Sequence, residues 1–287
     1  MFNVPATIGF GIAGWSYPDW IGIVYPRQLH DQLRFIADYV DVIEINSTFY
    51  RYPLARTAES WVKRTADHPD LYFTAKLHQD ITHNHKLDSA VAKEFSQGLQ
   101  PMAISGKLHH LLAQFRYDFV DTSDNRDYIE RISSSFRALS HLTLELRHNS
   151  WQAPDALAFL ESLDVTVANL DYPVAHNSFN LRECYIGSQR YLRLHGRNRK
   201  AWFDRNAGRD ETYNYSYSPA ELQDISKRAT KLTESAQSLT IIANNHFQGK
   251  ALANILQLKS FMTGRLIEVP PELLNTYPQL REIALSA

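Results

Sequence analysis

The sequence predicts a single-domain (β/α)8 barrel, an α/β fold of parallel strands in the manner of a TIM barrel. Three observations predict it. The chain has 287 residues, and a barrel of this type needs about 250. Eight short apolar runs alternate with amphipathic stretches along it. Polar and charged side chains gather at the C-terminal ends of those runs, where barrel proteins keep their chemistry.

In chain order, residues 7–12 form the first apolar run, and residues 29–39 an amphipathic stretch behind it. Runs follow at 40–46, 71–76, 110–115, 142–147, 165–169, 191–195 and 239–244. The stretches between them with helical periodicity are 57–65, 87–98, 127–140, 154–163 and 219–235. Such alternation predicts strands joined by helical crossovers, hence a parallel sheet. After the eighth run, Ala251, Leu252, Ile255, Leu256 and Leu258 mark a helix that starts near Gly249. The tail beyond Gly264, with Pro270-Pro271, is expected to pack on the barrel. The whole chain, 1–287, reads as one domain.

Composition narrows the function classes. Hydrophobic residues make up 44% of the chain, enough for a large core. Thirty Lys and Arg against 31 Asp and Glu leave a net charge of −1, without the global basic signature of a nucleic-acid binder. Cys184 is the only cysteine, so no intramolecular disulfide forms, and its neighbours carry no nucleophile motif. Residues 1–9 lack a basic region followed by an apolar run, and no apolar stretch reaches membrane-spanning length. A soluble cytoplasmic protein, without a membrane partner, is the expectation.

Side chains alternate between the two faces of a strand. Glu44 and Asn46 therefore oppose Ile43 and Ile45; Glu145 and Arg147 oppose Leu144 and Leu146; Arg193 and His195 oppose Leu192 and Leu194. Thr74, Lys76 and His78 share a face, as do Val167, Asn169 and Asp171, while Gln114 and Asn245 end the fourth and eighth runs. The polar faces are expected to line the lumen, where a lone charge would cost several kcal/mol unless paired or solvated. For any one of them the plainer reading is an ion-pair network closing the barrel mouth. Gly9, Gly11 and Ala13 are expected to leave room on the first strand. The aromatic turn Gly14-Trp15-Ser16-Tyr17-Pro18-Asp19-Trp20 reads either as a stacking surface for a ring or as a plug over the barrel end.

These segments resemble a known family. Gly11-Ile12-Ala13-Gly14-Trp15-Ser16-Tyr17-Pro18-Asp19-Trp20, Glu44-Ile45-Asn46-Ser47-Thr48-Phe49-Tyr50, Ala75-Lys76 with Ile81-Thr82-His83, Glu145-Leu146-Arg147-His148 with Ser150-Trp151, Arg193-Leu194-His195-Gly196-Arg197 and Asn244-Asn245-His246 are similar to motifs of the YecE-like family, domain of unknown function 72. The resemblance implies a TIM-barrel fold and carries no established reaction. Two positions depart from the family pattern. Gln114 is followed by Phe115-Arg116-Tyr117 instead of Leu-Pro-Pro, and Asn149 stands where the family has proline.

The leading functional expectation is a metal-independent enzyme acting on a small anionic or phosphorylated substrate, of sugar type among others. Glu44 and Glu145 are its candidate acid and base, with Lys76 and His195 as proton carriers or oxyanion stabilisers. Trp15, Tyr17, Asn46, Tyr50, Arg147, Asp171, Arg193, Arg197, Asn245 and Gly249 are the candidate substrate contacts. Arg193 and Arg197, with the helix start at Gly249, are expected to hold an anion. No cofactor is predicted. One alternative is a divalent-metal isomerase or phosphoesterase using Glu145, His148, Asp171, His195 and His246, although no spaced metal motif supports it. Another is binding of nucleic acid or another partner through Arg193, Arg197, Arg199, Lys200, Arg205 and Arg209, interleaved with Trp202 and Phe203.

Overall fold

The computed structural model describes residues 6–285. Nine strands form one parallel sheet: β1 (Thr7–Ala13), β2 (Val42–Ile45), β3 (Tyr72–Lys76), β4 (Leu108–Gln114), β5 (His141–Glu145), β6 (Val165–Val167), β7 (Asn169–Asp171), β8 (Gln189–Leu194) and β9 (Ser238–Ala243). Their order is β6-β5-β4-β3-β2-β1-β9-β8-β7. The two ends of that order are neighbours in the chain, so the sheet curls into a nearly closed barrel.

The expected sixth strand is therefore present but split. Val165–Val167 pairs with β5, and Asn169–Asp171 pairs with β8. The change of partner falls at Ala168, whose N–H still donates to Leu144 on the β5 side. The break also corrects the expected facing. Ala168 and Leu170 pack with Ala13, Val42, Tyr191 and Ile242, while Val167 belongs to the core between sheet and helices. Asn169 turns away from the lumen because its side chain brackets Cys184, accepting from its N–H at 2.8 Å and donating to its carbonyl at 3.0 Å. Burial pushes the Cys184 thiol pKa up, which fits an inert structural cysteine.

The crossover helices follow from local capping. Asp88 caps Ser89–Ile104, Thr122 caps Ser123–Phe136, and Ser218 with Glu221 forms a capping box on Pro219–Thr233. Their apolar stripes, such as Phe95, Leu99 and Met102, are buried against the strands' outward residues. Lys250–Thr263 begins immediately after Gly249, as expected. In the tail, Leu273 and Leu280 are fully buried, and Ile267 exchanges backbone bonds with Ile283 and Leu285. No helix among the described residues is long and apolar enough to cross a membrane.

The lower lumen is filled rather than open. Tyr72 hydroxyl bonds Thr240, Thr74 bonds Tyr191 hydroxyl, and His110 bonds Thr143. Gly9 serves this packing, since a Cβ there would lie 2.1 Å from the Tyr72 hydroxyl. Gly9 thus admits an aromatic ring, and Gly11 the close approach of Val42. Only the C-terminal mouth remains for a ligand.

Candidate functional site at the barrel mouth

Above the packed lumen lies a layer of charge. Arg193, on β8, is fully buried. Its Nε and Nη2 donate to Glu44 on β2, at 3.1 and 2.5 Å, and its Nη1 donates to Glu145 on β5. Gln114 accepts from the same Nη1 at 3.3 Å. The Glu44 carboxylate also accepts from Tyr191 hydroxyl at 2.9 Å. Arg147 donates Nε and Nη2 to Glu145 at 2.8 and 2.6 Å. Burial alone would raise the Glu145 pKa, but Arg193, Arg147 and His195 outweigh it and hold the carboxylate well below its ordinary range. His195, also fully buried, accepts from the Asn244 amide at Nδ1, 3.1 Å away, and its Nε2 faces Glu145 at 3.6 Å. Burial pulls its pKa down to about 4 against the pull of Glu145, so the ring is neutral at neutral pH.

Two carboxylates and two guanidiniums balance in this layer. Lys76, at the end of β3, adds a charge without a counterpart. Among the described residues its Nζ has no hydrogen-bond or salt-bridge acceptor, and it sits 4.4 Å from the centre of the Phe49 ring. Burial and the nearby Arg193 pull its pKa down to about 8, with Glu44 and Glu145 opposing.

Lys76 lines a cavity of about 300 Å³. Trp15, Tyr17, Asn46 and Tyr50 line it too, as expected, together with Gly14, Ser16, Ser47, Arg209, Tyr213, Asn244 and His246, and no carboxylate does. The aromatic turn divides its labour. Trp15 and Tyr17 face the cavity, whereas Trp20 is the plug, fully buried with its indole donating to the His246 carbonyl. Tyr17 stacks on His246 at 4.6 Å. His246 Nε2 lies 3.5 Å from Asp210 without hydrogen-bond geometry and has no other partner among the described residues. Burial lowers its pKa as well. Arg147 lines a second cavity, which shares Tyr213 with the first.

Several expected contacts lie elsewhere. Arg193 is fully buried, has all three guanidinium nitrogens bonded to Glu44, Glu145 or Gln114, and lines neither cavity. Asp171 and Arg197 pair with each other away from the cavity, joined by Tyr217 and Glu221. Asn245 points to the helices, donating to the Tyr215 carbonyl and to Asn254; its neighbour Asn244 is the one at the cavity. Gly249 is buried with a φ of 76°, its N–H donates to the His246 carbonyl at 3.1 Å, and it lines neither cavity. The anion site expected from Arg193, Arg197 and Gly249 is thus not assembled. His78 is drawn off to cap the turn Gln79–Thr82. The expected metal ligands are not gathered either: among the described residues no three His, Cys, Asp or Glu side chains meet in a metal-binding group. Nor do the six basic residues form one strip. Arg193 is buried, Arg199 holds the Val174 carbonyl, Arg209 lines the first cavity and Arg205 the second.

The buried Arg193 layer, its tryptophan-bearing turn and the Asn-Asn-His motif invite comparison with known proteins. A family model described as "Protein of unknown function DUF72" matches residues 9–275. The chain belongs to that family. Among curated proteins it is similar to the UPF0759 protein YunF of Bacillus subtilis strain 168, 25% identical over 94% of this chain and 100% of that one. Among solved structures it is similar to a DUF72 family protein from Thermotoga maritima MSB8, with TM-score 0.79, 28% identity and coverage of 90% and 99% of the two chains. A DUF72 family protein from Enterococcus faecalis V583 gives TM-score 0.78 at 24% identity, covering 90% and 96%, and shows the fold alone. DUF72 membership agrees with the barrel and names no reaction.

Proposed function

We propose that this DUF72 barrel is an enzyme acting on a small anionic substrate, with the reacting end bound in the cavity lined by Lys76, Tyr17, Asn46 and His246. The observation that carries the reading is the Lys76 amine, which has no acceptor among the described residues and lies in a cavity lined by no carboxylate. An anion supplies the charge that Lys76 lacks. With a pKa of about 8, the amine exists in both forms near neutral pH, as a proton carrier requires. Neutral Lys76 takes a proton from the substrate, and its ammonium form returns one. His246, its pKa lowered by burial and its Nε2 facing Asp210 at 3.5 Å, stacks on Tyr17 and supports the cavity wall. Glu44, Glu145 and Arg193 act from below, fixing the field at Lys76. Isomerisation or elimination next to an anionic group is the chemistry these parts suit.

The test needs no known substrate. Amine labelling with trinitrobenzenesulfonate, followed by peptide mass spectrometry across pH, should show Lys76 half-reactive near pH 8, against about 10.4 for ordinary lysines. Inorganic phosphate should slow labelling at Lys76 alone. A Lys76 profile indistinguishable from the surface lysines would sink the reading. For any substrate found among phosphorylated and carboxylated metabolites, Lys76→Met should lower turnover by about 100-fold or more.

A further inference from the structure

The second cavity is larger, about 710 Å³, within the range of small-molecule sites. No Asp or Glu lines it, and three arginines do: Arg116, Arg147 and Arg205. Arg116 is held by Asp118 through Nε and Nη2, both at 3.0 Å. Arg147 commits Nε and Nη2 to Glu145, and its Nη1 has no acceptor among the described residues. Arg205 has none either. Two guanidiniums thus retain donors in one cavity, and a guanidinium is the planar group that suits phosphate or carboxylate.

The walls are aromatic. The Arg147 guanidinium packs beside both Trp202 and Tyr172, 5.4 and 5.9 Å from ring centres that are themselves 5.7 Å apart. Phe203 and Tyr117 also line the cavity, and they are 46% and 66% exposed. Large rings left in water beside cations form a stacking surface for a planar or ring-shaped ligand. Phe115, Arg116 and Tyr117, where the sequence departs from the family pattern, make one wall. Tyr213 lines both this cavity and the one holding Lys76.

We propose that the second cavity is a subsite for a ring-bearing anion of nucleoside monophosphate size. Its anionic group meets Arg205 and the free Nη1 of Arg147, and its ring lies against Trp202. The proposal deepens the preceding reading and rests on it for the reacting end at Lys76. It gives the substrate class two parts: an anion-bearing ring in the larger cavity and, past Tyr213, a reacting end with its own negative charge at Lys76.

Isothermal titration calorimetry with adenosine monophosphate tests it, with adenosine and ribose 5-phosphate as partial ligands at matched ionic strength. The monophosphate should bind about tenfold tighter or more than either part, because each part lacks one set of contacts. Arg205→Gln should weaken the monophosphate by about tenfold and leave adenosine unchanged. Trp202→Ala should weaken the monophosphate and adenosine alike. Three results would overturn the subsite: no saturable binding of the monophosphate, equal affinities in both variants and the unchanged protein, or saturable binding of a single-stranded oligonucleotide only. None of these touches the Lys76 reading, which stands or falls on the amine titration. Arg205 is exposed, so its variant keeps the test valid even if Trp202→Ala unfolds.

Discussion

The barrel mouth holds two layers built from the same kinds of residue. In the lower layer Glu44, Glu145 and Arg193 satisfy one another and are fully buried. In the upper layer Lys76 and Arg205 line cavities and have no hydrogen-bond or salt-bridge partner among the described residues, while His246 Nε2 has only Asp210 at 3.5 Å. Charge at a strand end marks where the site is. Unsatisfied hydrogen-bonding capacity marks which groups are free to act. Candidate acids and bases chosen by residue type alone therefore mix internally paired groups with unpaired ones.

The sharpest way to break this contrast is to remove the central cation. Arg193→Met leaves buried Glu44 without a cation and Glu145 with Arg147 alone, and should lower stability by about 3–5 kcal/mol in urea unfolding at pH 7. A loss below about 1 kcal/mol would mean that water reaches the carboxylates and that the lower layer is part of the open site.

A smaller effect comes from His195. Its folded pKa is about 4, below an unfolded value of about 6.5. The unfolded chain binds the proton first, so this contribution to stability is complete above pH 6.5 and is lost as pH falls toward 4. Between those limits the unchanged protein should lose about 3 kcal/mol more than His195→Gln. Parallel curves for the two would show that the buried ring does not titrate in this window.

The smallest effect has the opposite sign. The folded Lys76 pKa of about 8 lies below an unfolded value of about 10.4, so at pH 7 its ammonium opposes folding. Lys76→Met should stabilise the protein by about 1–2 kcal/mol at pH 7, the gain shrinking as pH rises from 8 to 10.4. A lower melting temperature in this variant would move Lys76 into the supporting layer.

Much of this was legible in the sequence because strand alternation carries a face from residue to residue. Glu44, Lys76, Glu145, Arg147, Arg193 and His195 reach the mouth together on that basis. The misreadings arise where alternation slips. At the split sixth strand, Asn169 leaves the sheet's inner face to hold Cys184, and Asp171 follows it outward. At the end of β9 the inward residue is Asn244 and the outward one Asn245, and a shift of one position exchanges their faces. Tyr213, Arg205 and Arg209 come from the segment between β8 and the helix Pro219–Thr233, where no periodicity fixes which residues fold over the mouth. The family motifs placed His246 near the site, but only the geometry separates its Nε2, facing Asp210 at 3.5 Å, from a metal-ligand reading.

The closure of the sheet has a consequence for how the chain is made. β9 forms six register pairs with β1 and six with β8, and Thr7 is matched to Ser238. β1 is made before β9 and therefore waits for it before its outer edge is paired. At about 5–20 residues per second, that wait is roughly 10–50 s. Through it, Thr7–Ala13 is an open strand edge, the kind of surface that recruits other chains. Gly9 and Gly11, which admit Tyr72 and Val42 in the finished barrel, also make this waiting edge a poor template for a foreign strand.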